Sequence, residues 1–371
     1  MMAGRSGRNL RRKEADFILL FTAMTLLAIG IVMVFSASYY ILRENKDPYY
    51  HLRRQVQWAV LGLAGMLFFS NYDYWKLKRW TNLVLLFSFL LLAAVFIPGI
   101  GVEILGARRW IGVGSLTFQP SDLAKVAMIM FTAAYLSRRD IQVRKFTEGA
   151  LPILIILGIF FALIMKQPDL GTGVAMAGSV MLLIFVAGVP MQQLFLVGAS
   201  AVPLLLYLIY SEPYRLQRLM SFRDPWADPL DTGYQIIQSL YAIGPGGLFG
   251  VGLGQGRQKM YYLPEPHSDF IFAVICEELG FIGASTVLII YFLLFWRGFK
   301  IALSAPDAYG SLLAAGIVSM IALQTLINIG VVTGSIPVTG INLPLISSGG
   351  SSLLFTMCSL GILLNISKYA K

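Results

Sequence analysis

Long apolar runs separated by short polar clusters dominate the chain. They recur at residues 17–38, 56–70, 81–98, 123–136, 151–165, 172–190, 193–210, 269–295, 311–333 and 351–366. Crossing the hydrocarbon core of a bilayer takes about 20 helical residues, so the longer runs span outright and the shorter ones draw on polar or aromatic flanks. Inside lipid the backbone has no water to bind, which leaves helix as the conformation for such spans. The pattern predicts an all-α integral membrane protein of about ten transmembrane helices, organised as one polytopic domain over residues 1–371.

The polar clusters give the spans a direction. Arg5, Arg8, Arg11, Arg12 and Lys13 make a basic tail over residues 1–15, followed by an apolar run long enough to span. That length, and the many runs after it, mark an uncleaved first helix rather than a secretory signal. Basic residues return at Lys76, Lys78 and Arg79, at Arg138, Arg139, Arg144 and Lys145, and at Arg297, Lys300, Lys368 and Lys371. The positive-inside rule puts all of these, and both termini, in the cytoplasm.

One connection stands apart. Between the seventh and eighth runs, residues 211–268 form a long outer loop. Loops beyond about 15 residues are usually functional or disordered. This one carries Tyr234, Ile236, Ile237, Leu240, Tyr241 and Phe249, which predicts an ordered loop lying against the membrane. Its glycines, Gly244, Gly246, Gly247, Gly250, Gly252 and Gly254, follow no strand and end in no Gly-Lys-Ser/Thr, so a nucleotide loop is not indicated. Tight turns or close helix packing account for them.

Composition sharpens this picture. With 57% apolar and 13% charged residues the chain lacks the charged surface of a soluble domain. The net charge of +10 suits anionic headgroups, and its dispersal in short clusters between apolar runs argues against nucleic acid as a partner. Cys276 and Cys358 lie within apolar runs, where cysteine acts as a small hydrophobe, and no disulfide is implied. His51 and His267 have no Cys or His cluster near them in sequence, so no zinc site is expected.

Four polar clusters could carry chemistry, and all fall on the outer side. Tyr261-Tyr262-Leu263-Pro264-Glu265-Pro266-His267-Ser268-Asp269 leads into the eighth span. From the residues alone, Asp269 could either cap that helix or act in a site. Glu277 and Glu278 follow inside the span, where a carboxylate needs an ion partner or a polar interior. Arg108, Arg109 and Trp110, followed by Gln119-Pro120-Ser121-Asp122 and Lys125, suit either phosphate binding or interfacial anchoring. Lys166-Gln167-Pro168-Asp169-Leu170-Gly171-Thr172 is a polar break between two runs, and its Pro and Gly fit a tight turn. Pro344 to Ser352, which includes Ser351, opens the last span with small residues suited to close packing or to an anion.

These same stretches carry a family likeness. Arg109-Trp110-Ile111-Gly112, Gln119-Pro120-Ser121-Asp122, Gln167-Pro168-Asp169-Leu170-Gly171-Thr172, Gln238-Ser239-Leu240-Tyr241-Ala242, Leu263-Pro264-Glu265 and Asp269-Phe270-Ile271-Phe272 occur in one order. In them the chain resembles the SEDS proteins (shape, elongation, division and sporulation) from about Asp16 to Ser367. The run Gly252–Lys259 is closer to the FtsW and SpoVE branch than to RodA. Ser348 stands where the family often has Tyr, and Thr339 where some relatives have Lys.

The resemblance implies a peptidoglycan glycosyltransferase that polymerises lipid II at the outer face of the bacterial cytoplasmic membrane, for cell division or sporulation. It implies complex formation with a class B penicillin-binding transpeptidase, and it puts the family's catalytic acid at Asp269. The expected substrate-binding set is Arg109, Lys125, Gln167, Asp169, Arg257, Glu265, His267 and Ser351, with no cofactor and no metal site. Two other classes compete. A lipid II flippase would use Glu277, Glu278 and Lys125 along a path, although no inverted repeat is visible. A non-catalytic scaffold for the penicillin-binding partner would keep the same packing residues.

Overall fold

The computed structural model describes residues 13–43, 47–104, 106–113, 116–260 and 262–370; Arg5, Arg8, Arg11, Arg12, Gly114, Tyr261 and Lys371 lie outside them. In chain order the helices are α1 (Phe17–Arg43), α2 (Tyr50–Asn71), α3 (Tyr74–Ala94), α4 (Pro120–Leu136), α5 (Leu151–Lys166), α6 (Leu170–Val186), α7 (Met191–Tyr210), α8 (Pro213–Arg223), α9 (Tyr234–Ile243), α10 (Ile271–Ser304), α11 (Ala308–Val332) and α12 (Gly350–Ser367). Each apolar run of the sequence falls on one of α1–α7 or α10–α12. Six of these, α1, α3, α7, α10, α11 and α12, are long and apolar enough to cross a membrane, and α5 and α6 are shorter apolar helices. The protein is a multi-pass membrane protein.

Exposed side chains on the outer helices are large and apolar, among them Leu83, Leu86, Phe87 and Leu90 on α3 and Ile289 and Phe292 on α10. Water would penalise such faces, whereas lipid solvates them. Burial concentrates on α11, which is enclosed along most of its length. Gly316 lets it approach Ile129 of α4 and Leu183 of α6. Small residues also join α2 to α12: Gly361 faces the Met66 backbone, while Gly62 and Gly65 face Met357 and Cys358. In contrast, α7 has no buried residue and contains Pro203.

Both described ends of the chain lie at one end of the bundle. Lys13 N donates to Lys368 O at 2.8 Å, Arg297 near the end of α10 pairs with Asp16, and Tyr74 at the start of α3 bonds Asp307 before α11. The opposite end carries the irregular structure.

Three features there add to the helical expectation. Strands β1 (Gly101–Ile104), β2 (Ala107–Val113) and β3 (Leu116–Phe118) form an antiparallel sheet in the order β1-β2-β3. Their short alternation of β-branched, aromatic and charged residues is a strand pattern that the neighbouring apolar runs obscure. The 211–268 segment holds α8 and α9 with 3-10 turns at Pro225–Ala227 and Gly244–Gly246. Finally, α10 breaks at Gly280, whose φ of 64° is open to glycine and strained for other residues.

Candidate active site

Asp269 sits one residue before the N-cap of α10, which is Phe270. It is not the capping residue; its side chain is left for other work. Its backbone is fixed from two directions. Asn328 of α11 donates from Nδ2 to Asp269 O at 2.8 Å and to Ile341 O at 2.7 Å. Ser347 Oγ donates to Ser268 O at 2.6 Å, and Ser348 N to His267 O at 2.9 Å. The loop before α12 is thereby stitched to the segment before α10. Gly340, with φ of 72°, passes directly under the acid: a Cβ there would lie 3.4 Å from Asp269 Oδ2.

The Asp269 carboxyl is enclosed by protein on most sides yet keeps an opening to solvent. Burial, seconded by the negative charge of Glu265, pushes its pKa up to about 6, against the pull of Ser268 and Arg218. A carboxylate in that range is ionised at neutral pH and more basic than an ordinary aspartate, which suits proton abstraction.

Cationic groups stand nearby. Arg218, on α8, lies within electrostatic reach of Asp269, Asp169 and Arg109, stacks near the Tyr214 ring and donates to Val338 O at 3.3 Å. Arg109, on β2, donates from Nε to Gln167 O at 2.9 Å and from Nη2 to Pro168 O. The sheet therefore anchors the α5–α6 turn. Beside these groups is a cavity of about 230 Å³ whose wall includes Leu170, Val174, Ile209, Arg215, Arg218 and Ile327. Thr339 also lines it, one residue from the glycine under Asp269. An apolar hollow lined by Arg215 and Arg218 can hold an amphipathic molecule with an anionic head.

The remaining expected residues divide. Asp169 is buried, caps α6 by accepting Thr172 N at 3.1 Å on Oδ1, and accepts Gln119 Nε2 at 3.0 Å on Oδ2. Gln167 turns inward and donates to Leu92 O at 3.1 Å. Lys125 and Asp122 form a pair at 2.9 Å with side chains only 6% exposed. Ser351 Oγ completes that unit, donating to Asp122 Oδ2 at 2.7 Å and accepting Gln119 N at 3.1 Å. Asp169, Gln167, Lys125 and Ser351 are thus bonded within the protein scaffold. Arg257 is held through its backbone, which donates to Glu277 Oε1 at 2.6 Å, while its side chain is exposed. Among the described residues no contact joins the Arg257 side chain to Asp269.

Glu265 accepts Ser268 Oγ at 3.3 Å and lies 3.6 Å from His267 Nε2. The two histidines, isolated in sequence, meet in space: His51 and His267 have ring centroids 3.9 Å apart. Burial holds the His267 pKa down at about 4, so the ring is neutral where Asp269 titrates. Folding brings them together because α2 delivers His51 to the loop before α10.

Sequence reasoning also missed Arg218. Its signal was available, since Arg215 and Arg218 stand three apart on a short helix and share a face. Glu277 and Glu278, by contrast, are structural. Lys259 pairs with Glu278, both side chains being fully buried, and Ser36 Oγ donates to Glu278 Oε2 at 2.7 Å.

A profile of the FtsW/RodA/SpoVE family, described as "Cell cycle protein", matches residues 17–371. The chain is 48% identical to "Stage V sporulation protein E" of Bacillus subtilis (strain 168), over 97% of its length and 99% of the relative's. It is 43% identical to "Probable peptidoglycan glycosyltransferase FtsW" of Geobacter sp. (strain M18), covering 96% and 98% of the two chains. Among solved structures, a chain from "Structural coordination of polymerization and crosslinking by a peptidoglycan synthase complex" superposes with a TM-score of 0.78 at 34% identity, covering 95% of this chain and 97% of that one. The rod shape determining protein RodA of Thermus thermophilus superposes with a TM-score of 0.71 at 32% identity, covering 95% and 96%. The chain belongs to the FtsW/RodA/SpoVE family of cell cycle proteins.

Proposed function

We propose that this protein is a peptidoglycan glycosyltransferase that polymerises lipid II into glycan strands, with Asp269 as general base. The carrying observation is that a carboxylate of raised pKa lies within electrostatic reach of Arg218, which itself lines an apolar cavity. In the reaction the acceptor sugar hydroxyl attacks the anomeric carbon of the lipid-pyrophosphate donor, its proton passes to Asp269, and the pyrophosphate leaves. Arg218 and Arg109 offset the charge that grows on the leaving group. The apolar cavity takes the first part of the lipid tail. Lys125 and Ser351 act behind the site by holding Asp122, and Asp169 by setting the start of α6.

The membrane placement belongs to the same proposal. Helices α1–α7 and α10–α12 are ten spans in the bacterial cytoplasmic membrane, and the basic loops at the termini end face the cytoplasm. The 211–268 loop and Asp269 then face outward, where a class B penicillin-binding transpeptidase is the partner. A flippase reading gains no support from the buried charges: Lys125 is matched by Asp122 and Glu278 by Lys259, which leaves no chain of open ionisable groups across the bundle among the described residues.

The test is polymer formation from purified lipid II by the wild type and by Asp269→Asn, each with and without the transpeptidase. Polymer from the wild type and none from the variant supports the reading. Lipid II translocation in proteoliposomes without polymer under any condition overturns it.

A further inference from the structure

The break in α10 leaves four backbone groups without helical partners. In an unbroken helix Phe281 N and Ile282 N would bind the carbonyls of Glu277 and Glu278. Here all four are taken by one loop. Phe281 N donates to Gly247 O at 2.8 Å and Ile282 N to Leu248 O at 3.1 Å, while Val251 N donates to Glu277 O at 3.0 Å and Gly252 N to Glu278 O at 3.1 Å. The loop is spliced into the helix, backbone to backbone. Glycine makes this possible: a Cβ at Gly250 would overlap the Glu278 carbonyl, and one at Gly280 would overlap Gly250 N.

Hydrated backbone would need no such repair, whereas unpaired groups at apolar depth cost several kcal/mol each. The side chains point the same way. Leu248, Phe249 and Leu253 are 62%, 80% and 58% exposed, and they adjoin Phe281 and Ile282, 67% and 50% exposed, on the outer face of α10. That face continues along α10 through Ile289 and Phe292. From Thr232 to Gly256 the sequence has no charged residue, and the stretch is bounded by Asp231 and Arg257.

We infer that the loop Gly247–Gly254 is a wedge inserted into the bilayer at the end opposite the termini, with lipid acyl chains as its partner. Its apolar tip continues the lipid-facing surface of α10, and Glu278 ties its far end down by accepting Gly254 N at 3.0 Å. The inference needs only that the protein spans a membrane and is independent of the proposed reaction.

The experiment reads depth directly. A bimane label is placed through Phe249→Cys in a Cys276→Ala, Cys358→Ala background, and the full chain is reconstituted in phosphatidylcholine–phosphatidylglycerol vesicles. The same label at Phe292→Cys on α10 and at Asp231→Cys provides the lipid and aqueous references. With brominated acyl chains, the labels at 249 and at 292 should both lose much of their emission, while the label at 231 loses little. Leu253→Cys, on the same tip, should repeat the result. Two outcomes overturn the inference: quenching at 249 by aqueous iodide as strong as at 231, or protection from both quenchers, which would mean that protein covers the loop.

Discussion

Asp269 and the pair Glu277–Glu278 lie within a few residues of one another at the same end of the bundle, and they have opposite fates. The glutamates serve the packing of the chain. Glu278 is paired with Lys259 and bonded to Ser36, and Glu277 holds the backbone of Arg257 and Gln258. Asp269 has a fixed backbone and a carboxyl that keeps an opening to solvent, within electrostatic reach of Arg218. A buried acid paired with a cation, as Glu278 is, stabilises one arrangement of the chain, whereas an acid held in place with its carboxyl open to solvent can act on a substrate. Position in the sequence does not separate these cases; the partners do.

The comparison breaks if Asp269→Ala, or the near-isosteric Asp269→Asn, retains polymerase activity. Loss of a general base costs typically ~10²–10⁴-fold, and the variants should insert, fold and elute as the wild type does. Lys259→Met should behave in the reverse sense. Removing one member of a buried pair leaves an unmatched charge worth about 3–5 kcal/mol, so thermal stability in detergent should fall sharply. Combining it with Glu278→Leu should recover much of that loss. If Lys259→Met is as stable as the wild type, the pair is not structural and the contrast with Asp269 fails.

Arg218 sharpens the comparison at a smaller scale. Arg218→Ala should lower polymerisation by roughly 10²–10³-fold, the cost of removing one stabilising donor at a developing anion. Thermal stability should change little, because the side chain opens to solvent. Arg218→Lys should recover part of the rate by restoring a point charge without the planar fork. Equal loss in both variants would indicate that geometry, rather than charge, is what Arg218 supplies.

The parts of the molecule legible in the sequence are those governed by one neighbour, the lipid. Every apolar run lies on a helix because backbone in hydrocarbon has no alternative. The motif around Asp269 is legible in the sequence, where its role rests on family likeness rather than on local chemistry. What escaped depends on pairs distant in the chain. Arg109 is an anchor for the Gln167 and Pro168 carbonyls, which nothing in its own cluster announces. His51 reaches His267 only because α2 starts beside the loop before α10. Asp169 was partly legible: an acid three residues before Thr172 at the start of an apolar run is an N-cap pattern, and that is the bond it makes.

The last prediction concerns the pH at which the open acid works. If the ionised form of Asp269 takes the proton, the rate at saturating lipid II should climb as pH rises through about 6 and level off above it. His267 does not titrate in that window, since its pKa is held near 4, so a limb at 6 belongs to the aspartate. Burial is the main cause of the raised value, and the charge on Glu265 is the second. Glu265→Gln removes a negative neighbour, which makes the carboxylate of Asp269 easier to form, so the limb should move to lower pH while the plateau stays close to the wild-type rate. A shift in the opposite direction would mean that Glu265 acts through His267 or Ser268 instead of through its charge. A profile flat through pH 6 in both proteins would separate Asp269 from the proton transfer altogether and leave its carboxyl a positioning group.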